Sequence, residues 1–341
     1  MYGRAARFRR AWYGRHPERV RRLTRPVISL GNLVVGGSGK TPLVAAIARE
    51  LIAAGERPAI LSRGYGRRSA VDGVVVVSDG QQPRVPAAES GDEPQMLARS
   101  LPGVPVLVAP DRYLAGALAE RRFDCTVHIL DDGFQHVQLA RDINLLVMSS
   151  GDLRESVLPS GRLREPLEAA RAADALLVTG SDDEAEAVAA AVGVRPVFRV
   201  QTQQGEPRLM VQPRALPSGH RVIAVAGIAR PARFFDALRE GGWDVAQEIV
   251  FRDHHWFTPR DLKAIAAAAT KAHADLIATT EKDAARLTAG EVAASPVPWA
   301  AVPLQVSIAP TSFTSWLTGC VRGSGVIFRG HPPLGEGVLE K

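Results

Sequence analysis

Pro26-Val27-Ile28-Ser29-Leu30, then Gly36-Gly37-Ser38-Gly39-Lys40-Thr41, then the helix-like run Pro42 to Ala54: this succession decides the fold. An apolar strand enters a glycine loop, and the loop enters Lys-Thr and a helix. That order cradles a nucleoside triphosphate. Backbone N–H groups of such a loop point inward around the phosphates, and the positive end of the following helix adds to their field. The expected nucleotide-binding stretch is Val34, Val35, Gly36, Gly37, Ser38, Gly39, Lys40 and Thr41. Lys40 would reach the outer phosphates, and the Thr41 hydroxyl would ligate Mg²⁺. The strict spacing asks for glycine where Val34 stands, so Gly36 and Gly37 would supply the flexibility. A glycine-rich turn before an ordinary helix is the plainer reading, but the order of the four pieces favours phosphate.

Outward from this stretch, apolar runs and helical runs alternate, which predicts a parallel sheet. Strands are expected at Pro58–Ser62, Val74–Val77, Val106–Ala109, Cys125–Leu130, Ile143–Met148 and Ala175–Val178, with helices at Pro94–Ser100 and Arg112–Arg121. Near residues 200–220 the pattern changes. Val197–Gln201 and Arg208–Gln212 flank Gly205-Glu206-Pro207 and read as a hairpin linker. A second α/β stretch follows, with strands Val222–Ala226 and Leu276–Thr279 and helices Pro231–Glu240 and Pro259–Ala272. The fold class expected is α/β: a P-loop NTPase-like parallel-sheet domain, and a second, smaller α/β domain joined to it by a β-hairpin. The divisions are 1–25, a basic segment; 26–200, the P-loop domain; 201–219, the two-stranded linker; 220–310, the second domain; and 311–341, a Gly/Pro-rich, poorly ordered tail.

The chain has 341 residues, 46% of them hydrophobic, enough for two cores. Its two cysteines, Cys125 and Cys320, fit a reducing compartment rather than a disulfide framework. No apolar run nears the roughly 18 residues that span a bilayer, and the N-terminus lacks a signal-peptide core. The expectation is a cytoplasmic location. Charge is uneven: residues 1–25 hold nine Arg and one Glu, a balance of +8, against +6 for the whole chain, which leaves −2 for the rest. Tyr2, Phe8, Trp12 and Tyr13 lie among these arginines. Aromatics and arginines on one short segment suit an anionic membrane surface. A solvated helix face is the second reading. Nucleic acid is not expected, because no stacking motif or recognition helix accompanies the charge.

Several clusters carry possible chemistry. Asp131-Asp132-Gly133 ends an apolar strand, as a Mg²⁺-holding acidic site does opposite Thr41; Asp-Asp-Gly is also a common turn. Asp92, in Gly91-Asp92-Glu93-Pro94, could be a base for a hydroxyl acceptor or a helix N-cap. In Asp253-His254-His255 a His oriented by Asp is the better functional reading, because the pair supports proton transfer near neutral pH. Thr280-Glu281-Lys282-Asp283 could contact a nucleotide base or start a helix. Arg112 and Arg63-Gly64-Tyr65-Gly66-Arg67 offer cations where α/β sheets bind ligands.

Taken together, these segments resemble the tetraacyldisaccharide 4'-kinase family of lipid A biosynthesis. The matching pieces are Gly31-Asn32-Leu33 with the loop through Pro42, Ser62-Arg63-Gly64-Tyr65-Gly66, Gly91-Asp92-Glu93-Pro94, Asp131-Asp132-Gly133-Phe134-Gln135-His136, Asp253-His254-His255 and Thr280-Glu281-Lys282-Asp283. Ser38 stands where the family often has Thr. The resemblance implies transfer of the γ-phosphate of ATP, with Mg²⁺, to the 4'-hydroxyl of a tetraacyl glucosamine disaccharide 1-phosphate, giving lipid IVA. It implies a peripheral enzyme on the cytoplasmic face of the bacterial inner membrane. By motif match Asp92, His254 and Lys40 are catalytic, and Thr41, Asp131 and Asp132 hold the metal. Glu93 and Arg112 contact substrate, and Asp253 could hold the imidazole. Two other classes stay open on the residues alone: a GTP-binding switch, and a membrane-surface binding protein whose P-loop is structural.

Overall fold

The computed structural model describes residues 2–36, 39–69, 72–211 and 219–327. The strands, in chain order, are β1 (Val27–Asn32), β2 (Pro58–Ser62), β3 (Val75–Asp79), β4 (Pro105–Val108), β5 (Val127–Asp131), β6 (Ile143–Ser149), β7 (Ala175–Thr179) and β8 (Val197–Gln204). They continue as β9 (Arg208–Leu209), β10 (Arg221–Ala226), β11 (Asp244–Val250), β12 (Leu276–Thr280), β13 (Trp299–Val302) and β14 (Leu304–Ala309). They form two sheets, β14-β8-β7-β6-β1-β5-β2-β4-β3 and β11-β10-β12-β13-β9. The first is parallel except at its edges, where β3 and β14 run antiparallel to their neighbours. The second is parallel except for β9.

Parallel strands are joined by crossovers, so helices cover both faces and strands read as continuous apolar runs. β1 follows this rule: all six of its residues are buried. Ile28 and Leu30 pack on one face with Leu43, Ile47 and Leu51 of the helix Lys40–Ala53. Val27 and, on the neighbouring strand, Leu130 pack on the other with Ala115 and Ala119 of the helix Arg112–Arg122. β1 lies between β5 and β6, with Leu30 opposite Asp131. The chain therefore leaves the sheet into the glycine loop at the sheet's centre, where open α/β sheets bind ligands.

Two expectations are corrected. The strands around Gly205-Glu206-Pro207 do not form a hairpin. β8 pairs with β14 in the first sheet, and β9 pairs with β13 in the second. The segment carries the chain across rather than back, and β14 returns beside β8, so two antiparallel strands connect the two α/β units. Residues 212–218 of the expected linker lie outside the described residues. The second correction concerns the tail. Ser312–Ile327 is a helix that buries Phe313, Leu317 and Val321 against the first sheet, and Thr314 Oγ1 donates to Glu50 Oε2 at 2.6 Å. Apolar residues four apart face the core, and glycines among them, such as Gly319, do not prevent this. Residues 328–341 lie outside the described residues.

The helix is thus part of the first core. Leu317→Ala is expected to cost about 2–5 kcal/mol in urea unfolding, as deletion of a fully buried leucine does. An unchanged midpoint would show that the helix contributes nothing to the folded core.

Candidate active site

The glycine loop turns β1 into the helix Lys40–Ala53. Gly36 and Gly39 hold φ of 99° and 70°, which side chains rarely adopt, and Gly39 is the residue before the helix. Val34 forms a bridge with Leu163, and Val35 N donates to Arg162 O at 2.8 Å, so a second loop backs the first. Gly37 and Ser38 lie outside the described residues. Thr41 is buried in the first turn. Lys40 Nζ donates to Asn32 Oδ1 at 3.0 Å and stands 3.4 Å from Asp132 Oδ1.

β5 delivers Asp131 and Asp132 beside this helix start. Asp132 holds a left-handed φ of 53°. Arg164 grips it from both prongs, Nη1 to Oδ2 and Nη2 to Oδ1, each at 2.8 Å, and Nη2 also donates to Asn32 Oδ1. Burial would raise the Asp132 pKa, but the Arg164 hydrogen bonds and the Lys40 charge outweigh it and hold it near 2. Asp131 goes the other way. Burial first, then the carboxylates of Glu93 and Asp132, push it up to about 7. Burial also raises Glu93, against the pull of Lys282. Negative charge is therefore crowded on one side of Lys40, as a divalent cation would require. Among the described residues no three His, Cys, Asp or Glu side chains could hold a metal by themselves. Thr41 with Asp131 and Asp132 fits Mg²⁺, which takes one or two carboxylates and completes its shell from phosphates and water.

Asp92 opens the helix Asp92–Ser100 and does not cap it; Gly91 is the residue before. Its carboxylate is 3% exposed and turns to the second unit. His254 Nδ1 donates to Asp92 Oδ2 at 2.9 Å. His254 holds a φ of 60° on the loop after β11, the second left-handed residue of the site, after Asp132, that is not glycine. Such conformations cost on the order of 1–3 kcal/mol and persist where surroundings enforce them. Lys282 Nζ sits 3.2 Å from His254 Nε2 and donates to Asp253 Oδ1 at 3.0 Å. An ammonium has only protons to give, so Nε2 accepts and Nδ1 carries the hydrogen. The imidazole is thus held by Asp92 and Lys282. Asp253 acts on it through Lys282, its nearer oxygen standing 3.9 Å from Nε2.

Burial alone would raise the Asp92 pKa, yet the hydrogen bond from His254 and the charges of Arg286 and Lys282 take it well below the usual carboxylate range. Lys282 points at the Asp92–His254 pair, and Thr280 caps its helix. Arg112 is buried, its Nη1 donating to Pro110 O at 2.9 Å, and burial with the nearby Arg63 charge lowers its pKa to about 10.

Three participants had no sequence signal: Arg164, Arg286 and Asn32 as a partner of Lys40. Arg164 follows Gly161-Arg162-Leu163, in which no spacing separates it from a surface arginine. The N-terminal helix, Tyr2–Arg15, also reaches this region. Arg10 donates to Glu165 at 2.8 and 3.0 Å and lies 4.6 Å over the Phe134 ring.

A family model described as tetraacyldisaccharide-1-P 4'-kinase (LpxK) matches residues 1–322. Among similar proteins is the tetraacyldisaccharide 4'-kinase of Geobacter sulfurreducens, 45% identical over 299 residues, which cover 85% of this chain and 82% of the relative. The enzyme of that name from Geobacter metallireducens is 45% identical over 294 residues, 84% of this chain and 86% of the relative. The crystal structure of LpxK from Aquifex aeolicus in complex with ATP superposes with a TM-score of 0.76 at 32% identity, covering 94% of this chain and 96% of that one.

The Asp131 shift has a direct consequence. An acid whose pKa rises from an unfolded value near 3.9 to about 7 is stabilising while protonated. That stability is lost as pH rises through this window. Asp131→Asn should therefore stabilise the ligand-free chain more at pH 8 than at pH 5 in urea unfolding. Equal gains at both pH values would show that Asp131 ionises normally.

Proposed function

The chain belongs to the tetraacyldisaccharide-1-P 4'-kinase family, and on that premise we propose that it transfers the γ-phosphate of ATP to the 4'-hydroxyl of a tetraacyl glucosamine disaccharide 1-phosphate, in lipid A biosynthesis. The observation that carries the proposed site is the Asp92–His254 contact at 2.9 Å, made by residues of different α/β units. Glu93, next to Asp92, is influenced by Lys40 as well as by Lys282 and His254, so the pair lies within electrostatic reach of the glycine loop.

The roles follow from the side chains. Loop amides, Lys40 and the helix N-terminus neutralise the charge that spreads over the transferred phosphoryl oxygens. Thr41 and the Asp131–Asp132 pair would hold Mg²⁺, which would supply positive charge against the phosphate oxygens. The sugar hydroxyl is a weak nucleophile that loses its proton during transfer. Asp92 is ionised at neutral pH, so it aligns the hydroxyl and accepts that proton, while His254 supports the carboxylate through Nδ1. A weak base suffices because the transition state is loose and the nucleophile carries little extra charge until late. Building the pair from two units keeps it complete only while they are closed, which excludes water and limits ATP hydrolysis. Glu93 and Arg112 are assigned to the acceptor's polar head.

The acceptor's acyl chains favour a membrane surface as the place of work. No helix among the described residues is long and apolar enough to cross a membrane. The helix Tyr2–Arg15 presents arginines and an exposed Phe8 (70%) beside the site. We place it at the cytoplasmic face of the inner membrane, where each basic residue near an anionic surface gains about 1 kcal/mol.

The decisive experiment is transfer of labelled γ-phosphate from ATP to a detergent-dispersed tetraacyl disaccharide 1-phosphate. Mg²⁺-dependent labelling is expected, with Asp92→Ala slower by about 10²–10⁴-fold, as loss of a general base typically is. Absence of labelling by folded, ATP-binding protein would overturn the assignment. Co-sedimentation with anionic vesicles should fall as salt rises and fall further in Phe8→Asp. Binding indifferent to both would remove the helix as the attachment site.

A further inference from the structure

Among the described residues, Asp92 accepts every one of its side-chain hydrogen bonds on a single oxygen. Arg286 Nη2 donates to Oδ2 at 2.7 Å, Arg286 Nε at 3.2 Å and His254 Nδ1 at 2.9 Å. Among the described residues none donates to Oδ1. An arginine pairing with a carboxylate for attraction alone commonly meets both oxygens, fork to fork. Here the fork closes on one oxygen and shares it with an imidazole.

The guanidinium has no freedom to turn. Its side chain is 1% exposed. Nη1 is held by Asp283 Oδ1 at 2.9 Å and by His255 O at 3.0 Å. Asp283 is itself fixed, its Oδ2 accepting from Gly227 N at 3.0 Å and from Thr280 Oγ1 at 2.7 Å. The second sheet's loops thus build a rigid holder and aim it at one atom of the first unit.

We propose that Arg286 is a positioning residue of the phosphoryl-transfer site: it locks Asp92 Oδ2 from the second unit, keeps His254 aligned on the same atom, and leaves Oδ1 as the atom that receives the acceptor hydroxyl. This rests on the kinase reading above. A buried ion pair is a poor stabiliser, since desolvation offsets attraction; fixing a proton acceptor within a fraction of an ångström is where such a holder has most effect. The titratable and charged groups facing Asp92 are His254, Lys282 and Arg286 from the second unit, with Glu93 beside it. Removing the Arg286 cation takes away one of the influences that keep Asp92 ionised at low pH.

The test is steady-state transfer by Arg286→Met and Arg286→Lys, with ATP and the tetraacyl acceptor, across pH. For Arg286→Met, kcat should fall on the order of 10²-fold, the loss expected when a reacting group is misplaced by about 1 Å. KM for ATP should stay unchanged, and the acidic limb of the kcat profile should move to higher pH. Arg286→Lys should recover part of the rate. A folded Arg286→Met with wild-type kcat, or one that is slower with its acidic limb unmoved and no recovery by Lys, would overturn the inference. If Arg286→Met does not fold, Asp283→Asn loosens the same guanidinium from its far side. A lower kcat with a shifted limb then supports the role, and wild-type values overturn it. Wild-type protein that binds ATP and labels no lipid sinks the kinase reading itself, an outcome distinct from all of these.

Discussion

A carboxylate buried as deeply as Asp92 costs several kcal/mol unless donors replace the water it loses. Among the described residues, all of its side-chain donors come from the other α/β unit, from His254 and Arg286. Satisfying this one charge therefore obliges the two sheets to meet. Arg99 adds to the same contact, its Nη1 donating to Ala284 O at 3.0 Å. The connection itself is slight, strand β8 leaving and β14 returning. Side-chain hydrogen bonds at the interface add to this connection in fixing how the units face each other. If they part, Asp92 and Arg286 regain water, and the proton acceptor proposed above loses its partners. In that proposal assembly and chemistry depend on the same atoms.

A second balance lies at the ends of β1 and β5, which are adjacent and in register from Val27 opposite His128 to Leu30 opposite Asp131. That register brings Asn32, Lys40, Asp131 and Asp132 within reach of one another. Arg164 and Lys40 hold Asp132 ionised, while Asp131 is left to compete with Glu93 for the same positive field. Two neighbouring aspartates thus have opposite proton affinities, set by which of them finds a cation. The left-handed turn at Asp132 sends the two side chains to different partners.

Much of this was legible along the chain. The bounds of β2 and of the helix Pro231–Glu240 follow directly from apolar runs and their flanking Gly and Pro. The helix Ser312–Ile327 was obscured because glycines and prolines near the end of a chain read as disorder, although Phe313, Leu317 and Val321 carry helical spacing. The hairpin expectation failed for a related reason: Gly-Glu-Pro is a turn signal, but nothing local says whether the chain turns back or passes on. Lys282 was visible as part of a motif, yet its target, the His254 imidazole, was not.

The sequence by itself determined the strand–glycine loop–helix at the sheet's centre, the alternation that makes a parallel sheet, and the residue types from which the proposed site is built. These are local signals, written in periodicity and in glycines that permit a left-handed turn. The tertiary structure alone decided which atoms meet. His254 reaches Asp92 across 162 positions and Arg286 reaches it across 194. No spacing encodes such pairings. They arise because burying a charge is tolerable only where packing has already brought its counterpart, and packing belongs to the whole fold.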